Sequence, residues 1–247
     1  MAKVITFFGA DAKTGTSIIS ASMARFLAKQ EKKVLLINAS SELGNDYVKG
    51  EPAGCLDDLK LISLIREEDV NAITATYGDI SYIAGVSNIL ELTDYNPKIL
   101  TDLIDVISRS YDYIIIDGGY NIQYPLPIAS LSTAGKRYYV ITQNVKTVHR
   151  FRVVKDNVLN AMGLATNNEK LIINKVSKKP ALYSPEQIGE IFDLEYLEVP
   201  EFKNGHIYEL EAKTPPLEGG FEKSLKAIAA EFMDAGDLPE KKGFFRK

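Results

Sequence analysis

The chain is poor in the residues that build cross-links and metal sites: one cysteine, two histidines and no tryptophan among 247 residues. The single cysteine, Cys55, excludes an internal disulfide framework and any all-cysteine metal or cluster site. That usage fits a reducing cytosol. His149 and His206 are far apart in the chain, and neither has a partner at metal-ligand spacing, so both read as surface or helix-cap residues. No run of about 18 apolar residues occurs, so no segment reads as a membrane-spanning helix. The opening MAKVITFF has no apolar stretch followed by a small-residue cleavage site, and a cytoplasmic protein is expected. Positive charge is not in excess either: Lys and Arg number 29 against 33 Asp and Glu, for a net charge of -4. That balance argues against a broad nucleic-acid-binding surface while permitting a local basic patch. No internal repeat and no low-complexity linker is visible.

Short apolar runs that alternate with helical periodicity dominate what is present. At 45% hydrophobic and 25% charged, the composition supports a full-sized core, and the length suits one α/β domain. The runs are Val4–Phe8, Val34–Asn38, ISYIAG from Ile80, Tyr113–Asp117, Tyr138–Thr142, Leu171–Asn174 and LEVP ending at Pro200. Helical stripes fall between them: Ile19, Met23, Phe26 and Leu27; Ile99, Leu100, Leu103, Ile104 and Ile107; Phe151, Val154, Val158 and Met162, closed by Gly163; and Leu225, Ile228, Ala229 and Phe232. Strands without polar alternation are buried on both faces. The expected fold is therefore α/β, a doubly wound, mostly parallel sheet flanked by helices. Residues 1–237 are expected to form one domain and 238–247 a basic-aromatic tail. Ser40–Asp57 and Gly205–Gly220 read as loops, and the charged stretch Arg66–Asp69 as a solvated helix end.

In open parallel sheets, ligands bind outside the carboxyl ends of the strands. The loop after the first run, in FFGADAKTGTS (Phe7–Ser17), has the build of a phosphate-binding loop. Gly9, Ala10, Ala12 and Gly15 leave room for backbone N–H groups to approach an anion, and a helix follows whose N-terminal dipole favours it. Aligned on Gly15, Ser17 takes the magnesium-holding hydroxyl position and Thr16 the position of the usual lysine. Taken alone, the loop is equally well read as a glycine-rich βα turn.

Four further segments bear on that choice: VLLINASSELGN (Val34–Asn45), YDYIIIDGGY (Tyr111–Tyr120), LIINKV (Leu171–Val176) and VPEF (Val199–Phe202) followed by TPPLEGGF. In this order and spacing, over Val4–Phe232, the chain resembles the MinD/ParA family of deviant Walker P-loop ATPases. The resemblance implies ATP with magnesium as cofactor, a nucleotide-sandwich homodimer, and a role in positioning other cellular machinery. It assigns nucleotide contacts to Ala12, Lys13, Thr14, Gly15, Thr16 and Ser17, with Ser17 and Asp117 supporting magnesium. Asn174 falls where the family reads adenine, and Pro200 and Glu201 where it lines the base pocket.

The departures from the family lie in the same site. The signature lysine that reaches the partner's phosphates is Asp11, the loop lysine is Thr16, and the two acidic positions after the second strand are Asn38 and Ser40. Phosphoryl transfer depends chiefly on charge stabilisation, so a protein that binds ATP but hydrolyses it poorly or not at all is expected, with no catalytic residue assigned. Lys13, reaching the phosphates from inside a rearranged loop, is the alternative route to an active ATPase switch for cargo positioning or partitioning. Among subgroups the loop most resembles the TadZ/CpaE pilus-assembly proteins, which implies partners in an envelope machine such as a pilus or secretion system. A nitrogenase-type reductase is excluded by the single cysteine. The tail EKKGFFRK resembles the membrane-targeting tail of MinD proteins, with Phe244 and Phe245 as inserting residues and four cations for anionic headgroups, a weak peripheral attachment at the inner face of the membrane.

Overall fold

The computed structural model describes residues 1–42, 47, 52–165, 167–179, 182–202, 205–211, 213–234 and 237, without the side chains of His206 and Glu209. The tail 238–247, with Phe244 and Phe245, lies outside the described residues.

Among them, eight strands form one sheet: β1 (Lys3–Gly9), β2 (Val34–Asn38), β3 (Ala75–Tyr77), β4 (Ile80–Ile83), β5 (Tyr113–Asp117), β6 (Lys136–Thr142), β7 (Glu169–Val176) and β8 (Tyr196–Pro200). Their order is β3-β4-β2-β5-β1-β6-β7-β8, parallel throughout except for the antiparallel edge strand β3. Every residue of β2 and β5 is buried, which is why VLLIN and YIIID show no polar alternation. The expected doubly wound α/β fold is the observed one.

Helices cover both faces. On one, α1 (Thr16–Ala28) and α8 (Gly219–Ala230) pack Met23, Phe26, Leu225 and Ile228 against Ile5, Phe7, Tyr138 and Ile172. On the other, α2 (Glu67–Ile73), α3 (Ile99–Ile107) and α4 (Pro125–Thr133) cover Leu35, Ile37, Ile114 and Ile116. There too α5 (Val145–Val154) and α6 (Pro185–Phe192) enclose Tyr139, Ile141, Leu171 and Ile173. The adjacent Tyr138 and Tyr139 serve opposite faces, as strand geometry requires. Tyr138 stacks on Phe7 at 5.4 Å and Tyr139 meets Phe151 at 4.9 Å, so both are core residues, as expected.

Three details depart from the sequence-based expectation. The stretch Gly205–Gly220 is not all loop: Gly205–Leu210 forms a short helix, α7. Its Ile207 and Leu210 are 41% and 83% exposed, so its described side chains form no core-facing stripe for periodicity to reveal. The helix beginning at Val145 passes into a π-turn at Lys155–Leu159, which leaves Met162 exposed instead of on the buried stripe; Gly163, at φ 67, still ends the segment. The third departure is β3, half-exposed and joined to β4 across Gly78.

Candidate phosphate-binding site

The central strand β1 has β5 on one side and β6 on the other, and the chain winds away from it in both directions. That is the switch point at which open α/β sheets form their ligand crevice. The exits of β1 and β5 are tied together there. Gly9 N–H donates to the Gly119 carbonyl at 2.6 Å, and Gly118 N–H donates to the Phe7 carbonyl at 2.8 Å. Gly119 itself is at φ 60, and a side chain there would come within 2.6 Å of the Ser40 carbonyl. The Asp117-Gly118-Gly119 corner is thus a close-packed strand exit that also borders the crevice.

The loop from Ala10 to Gly15 leads directly into α1. Gly15 caps the helix in the left-handed region at φ 91, with no side-chain cap and no acidic residue in the first turn. The N-terminal N–H groups of α1 are therefore not answered by a local carboxylate, the arrangement that favours an external anion. Lys13, also left-handed at φ 61, is exposed. A cavity of about 220 Å³ opens above the loop, lined by Asp11, Lys13–Ile18, Glu42, Tyr47, Gly119, Tyr120 and Lys175.

The residues at the departing positions have identifiable local partners. Thr16 is buried, its hydroxyl 3.2 Å from that of Thr14 and close beneath Gly9, where a side chain would come within 2.6 Å of it. It is folded under the loop, where a lysine would project over it. Asp11 accepts from Ala12 N–H at 2.9 Å and from Arg150 Nη1 through both oxygens, at 2.8 and 3.0 Å. The reversed charge is thus paired within the chain, with α5. Asn38, at the end of β2 and in register with Asp117, is buried and accepts from Ser40 N–H at 3.0 Å. The Ser40 hydroxyl in turn accepts from Glu42 N–H at 3.4 Å. Ser17 and Asp117 are both buried at the base of the loop, and Asp117 accepts from Gly119 N–H at 3.1 Å. A hydroxyl and a carboxylate are hard oxygen donors that suit magnesium.

Asn174 stands at the end of β7, two strands from β1, where a bulge between Ile173 and Val176 bends the strand exit. Its amide donates to the Thr14 carbonyl at 2.8 Å and accepts from Lys175 N–H at 2.9 Å. Lys175, left-handed at φ 57, donates through Nζ to the Lys13 carbonyl at 3.3 Å. The pair braces two successive carbonyls of the loop. Pro200 and Glu201, at the end of β8 one strand further out, are exposed and are not among the cavity lining; Ala12 is exposed on the loop's outer side. Sequence reasoning missed Arg150, Lys175, Glu42 and Tyr120. Lys175 alone had a signal, its place beside Asn174. The Tyr120 phenol is pushed up, by burial first and then by the Glu42 carboxylate.

Solved structures share this architecture. The ParA family ATPase from Chlorobium tepidum TLS matches with a TM-score of 0.79 at 16% identity, covering 94% of this chain and all 100% of that one. The chain has the fold of the ParA and MinD ATPases. MinD from Pyrococcus horikoshii OT3, complexed with Mg-ADP, gives 0.72 at 18%, covering 92% and 96%. MinD in the MinC:MinD complex of Aquifex aeolicus gives 0.74 at 21%, covering 98% and 99%. No protein-family model and no curated protein matches the chain. No helix among the described residues is long and apolar enough to cross a membrane.

Proposed function

We propose that this chain is a MinD/ParA-like localisation or assembly factor that binds ATP with magnesium and hydrolyses it poorly or not at all. The observation that carries the reading is a division among the residues in and around one cavity. The groups that hold a polyphosphate are kept: an uncapped α1 N-terminus, the Gly15 turn, Ser17 and Asp117. The groups that would drive its cleavage are replaced by residues committed to local bonds: Thr16 to Thr14, Asp11 to Arg150, and Asn38 to Ser40. Ser17 and Asp117 would hold magnesium, which would supply charge neutralisation for the phosphates. Asn174 braces the loop, with Pro200 and Glu201 one strand beyond it on the side where a base would lie.

Fold likeness to proteins described as MinD with Mg-ADP and as a MinC:MinD complex supports nucleotide binding and protein partners, and a homodimer belongs to the same proposal. We place the chain with the TadZ/CpaE group, recruiting or positioning a pilus or secretion system at the inner face of the membrane, with its tail in weak contact. The exposed Lys13 at the cavity favours a second reading, an active switch whose turnover depends on that lysine. A thermal-shift titration with ATP and magnesium, paired with phosphate release by wild type and Lys13→Ala, tests both. Stabilisation at millimolar ATP with no turnover supports the first reading. Turnover abolished by Lys13→Ala supports the second, and no stabilisation removes both.

A further inference from the structure

Asp11 places a carboxylate in the lining of the very cavity proposed to receive phosphates. Its side chain is 13% exposed, and two phosphate charges nearby would raise its energy unless it were neutralised. Among the described residues, the cation that meets it is Arg150, from the outer face of α5, 139 positions along the chain. Nη1 serves both carboxylate oxygens, while the Arg150 side chain stays 57% exposed on α5. An ion pair this accessible adds little to folding, about 0–1 kcal/mol. Its position gives it another consequence: with the pair closed, the loop's first half contributes no net charge to the cavity. With Arg150 removed, the loop presents a bare carboxylate to any anion.

We propose that Arg150 is the residue that makes this cavity admissible to a polyphosphate, by cancelling the Asp11 charge within the same chain. This rests on the proposed nucleotide binding. It also implies a signature that a plain phosphate-contacting arginine does not have: Arg150 matters for binding only while Asp11 is charged. For a phosphate charge taken at about 7 Å with an effective dielectric of about 30, one uncancelled charge would cost roughly tenfold in affinity.

The test is a double-mutant cycle on the full chain, with MgATP binding read by isothermal calorimetry at low and high salt. Arg150→Ala is expected to weaken binding about tenfold or more, less at high salt, with unfolding unchanged within about 1 kcal/mol. Asp11→Asn is expected to bind as well as wild type or better, and Asp11→Asn with Arg150→Ala to bind like Asp11→Asn alone. Arg150→Lys retains the charge and is expected to bind within a few-fold of wild type. If wild type binds and Arg150→Ala binds equally well, the proposal falls and nucleotide binding stands. If Arg150→Ala weakens binding to the same extent in both backgrounds, Arg150 touches the phosphates directly and the cancellation is refuted. If neither wild type nor Asp11→Asn binds MgATP at millimolar concentration, both the proposal and the nucleotide reading fail.

Discussion

Replacing Gly15 by alanine perturbs the junction of loop, helix and brace at a single atom. Two costs follow from the geometry. The residue sits at φ 91, a conformation that L side chains rarely adopt, which costs about 1–2 kcal/mol. A Cβ there would also run into Asn174 Nδ2, well inside contact distance. Asn174 would have to leave the Thr14 carbonyl it holds at 2.8 Å, and a buried amide deprived of its partner costs about 1–3 kcal/mol. The sum is a destabilisation of about 2–5 kcal/mol, a substantial fraction of the roughly 5–15 kcal/mol that holds a typical domain folded. Urea unfolding of Gly15→Ala measures the total, and the Asn174→Ala background separates its parts. With Asn174 truncated there is no amide to displace, so Gly15→Ala should then cost only its backbone share of about 1–2 kcal/mol. An equal cost in both backgrounds would refute the claim that Asn174 braces the loop against Gly15.

The remaining predictions concern charge and chemistry. Thr16→Lys, which restores the usual loop lysine, should leave phosphate release at background, because Asn38 and Asp11 are unchanged; release above background would show that the lysine alone was missing. Asp57 is partly buried, which by itself raises its carboxyl, but hydrogen bonds from Ser87 and Tyr95 hold it below the usual range. A depressed carboxyl contributes stability that is present above its unfolded value of about 3.9 and is lost as pH falls below it. Wild type should therefore lose stability faster than Asp57→Asn as pH drops from about 5 to 3, read by denaturation at each pH. Deleting residues 238–247 should reduce co-sedimentation with anionic liposomes; equal binding by both forms would remove the tail's membrane role.

The legible part of the fold was its buried centre. VLLIN and YIIID are unmistakable because a strand covered on both faces has no polar positions to tolerate, and α1 and α3 announce themselves by spacing. What failed was peripheral. β3 has three residues, two half-exposed and Thr76 exposed, too few to show a pattern, and α7 has no buried stripe among its described side chains. α6 carried an unread signal: Ser184-Pro185-Glu186-Gln187 is a capping box with proline at the first helical position, and the structure closes it through Ser184 and Gln187. At the site, the substitutions at Asp11, Thr16, Asn38 and Ser40 were visible in the chain, but their partners were not. Arg150 answers Asp11 from α5 only because β6 and its following helix lie next to β1, a juxtaposition no local pattern encodes. Lys175 takes its place from a bulge in β7 that a regular run of apolar residues conceals.

Retention of ATP without cleavage is what distinguishes the proposed factor from an active switch. Its most direct measurement mixes the full chain with equimolar radiolabelled ATP and magnesium, isolates the protein by gel filtration at intervals, and identifies the bound nucleotide by chromatography. The bound nucleotide is expected to remain ATP over hours. Conversion to ADP within minutes, or no nucleotide travelling with the protein, would contradict it.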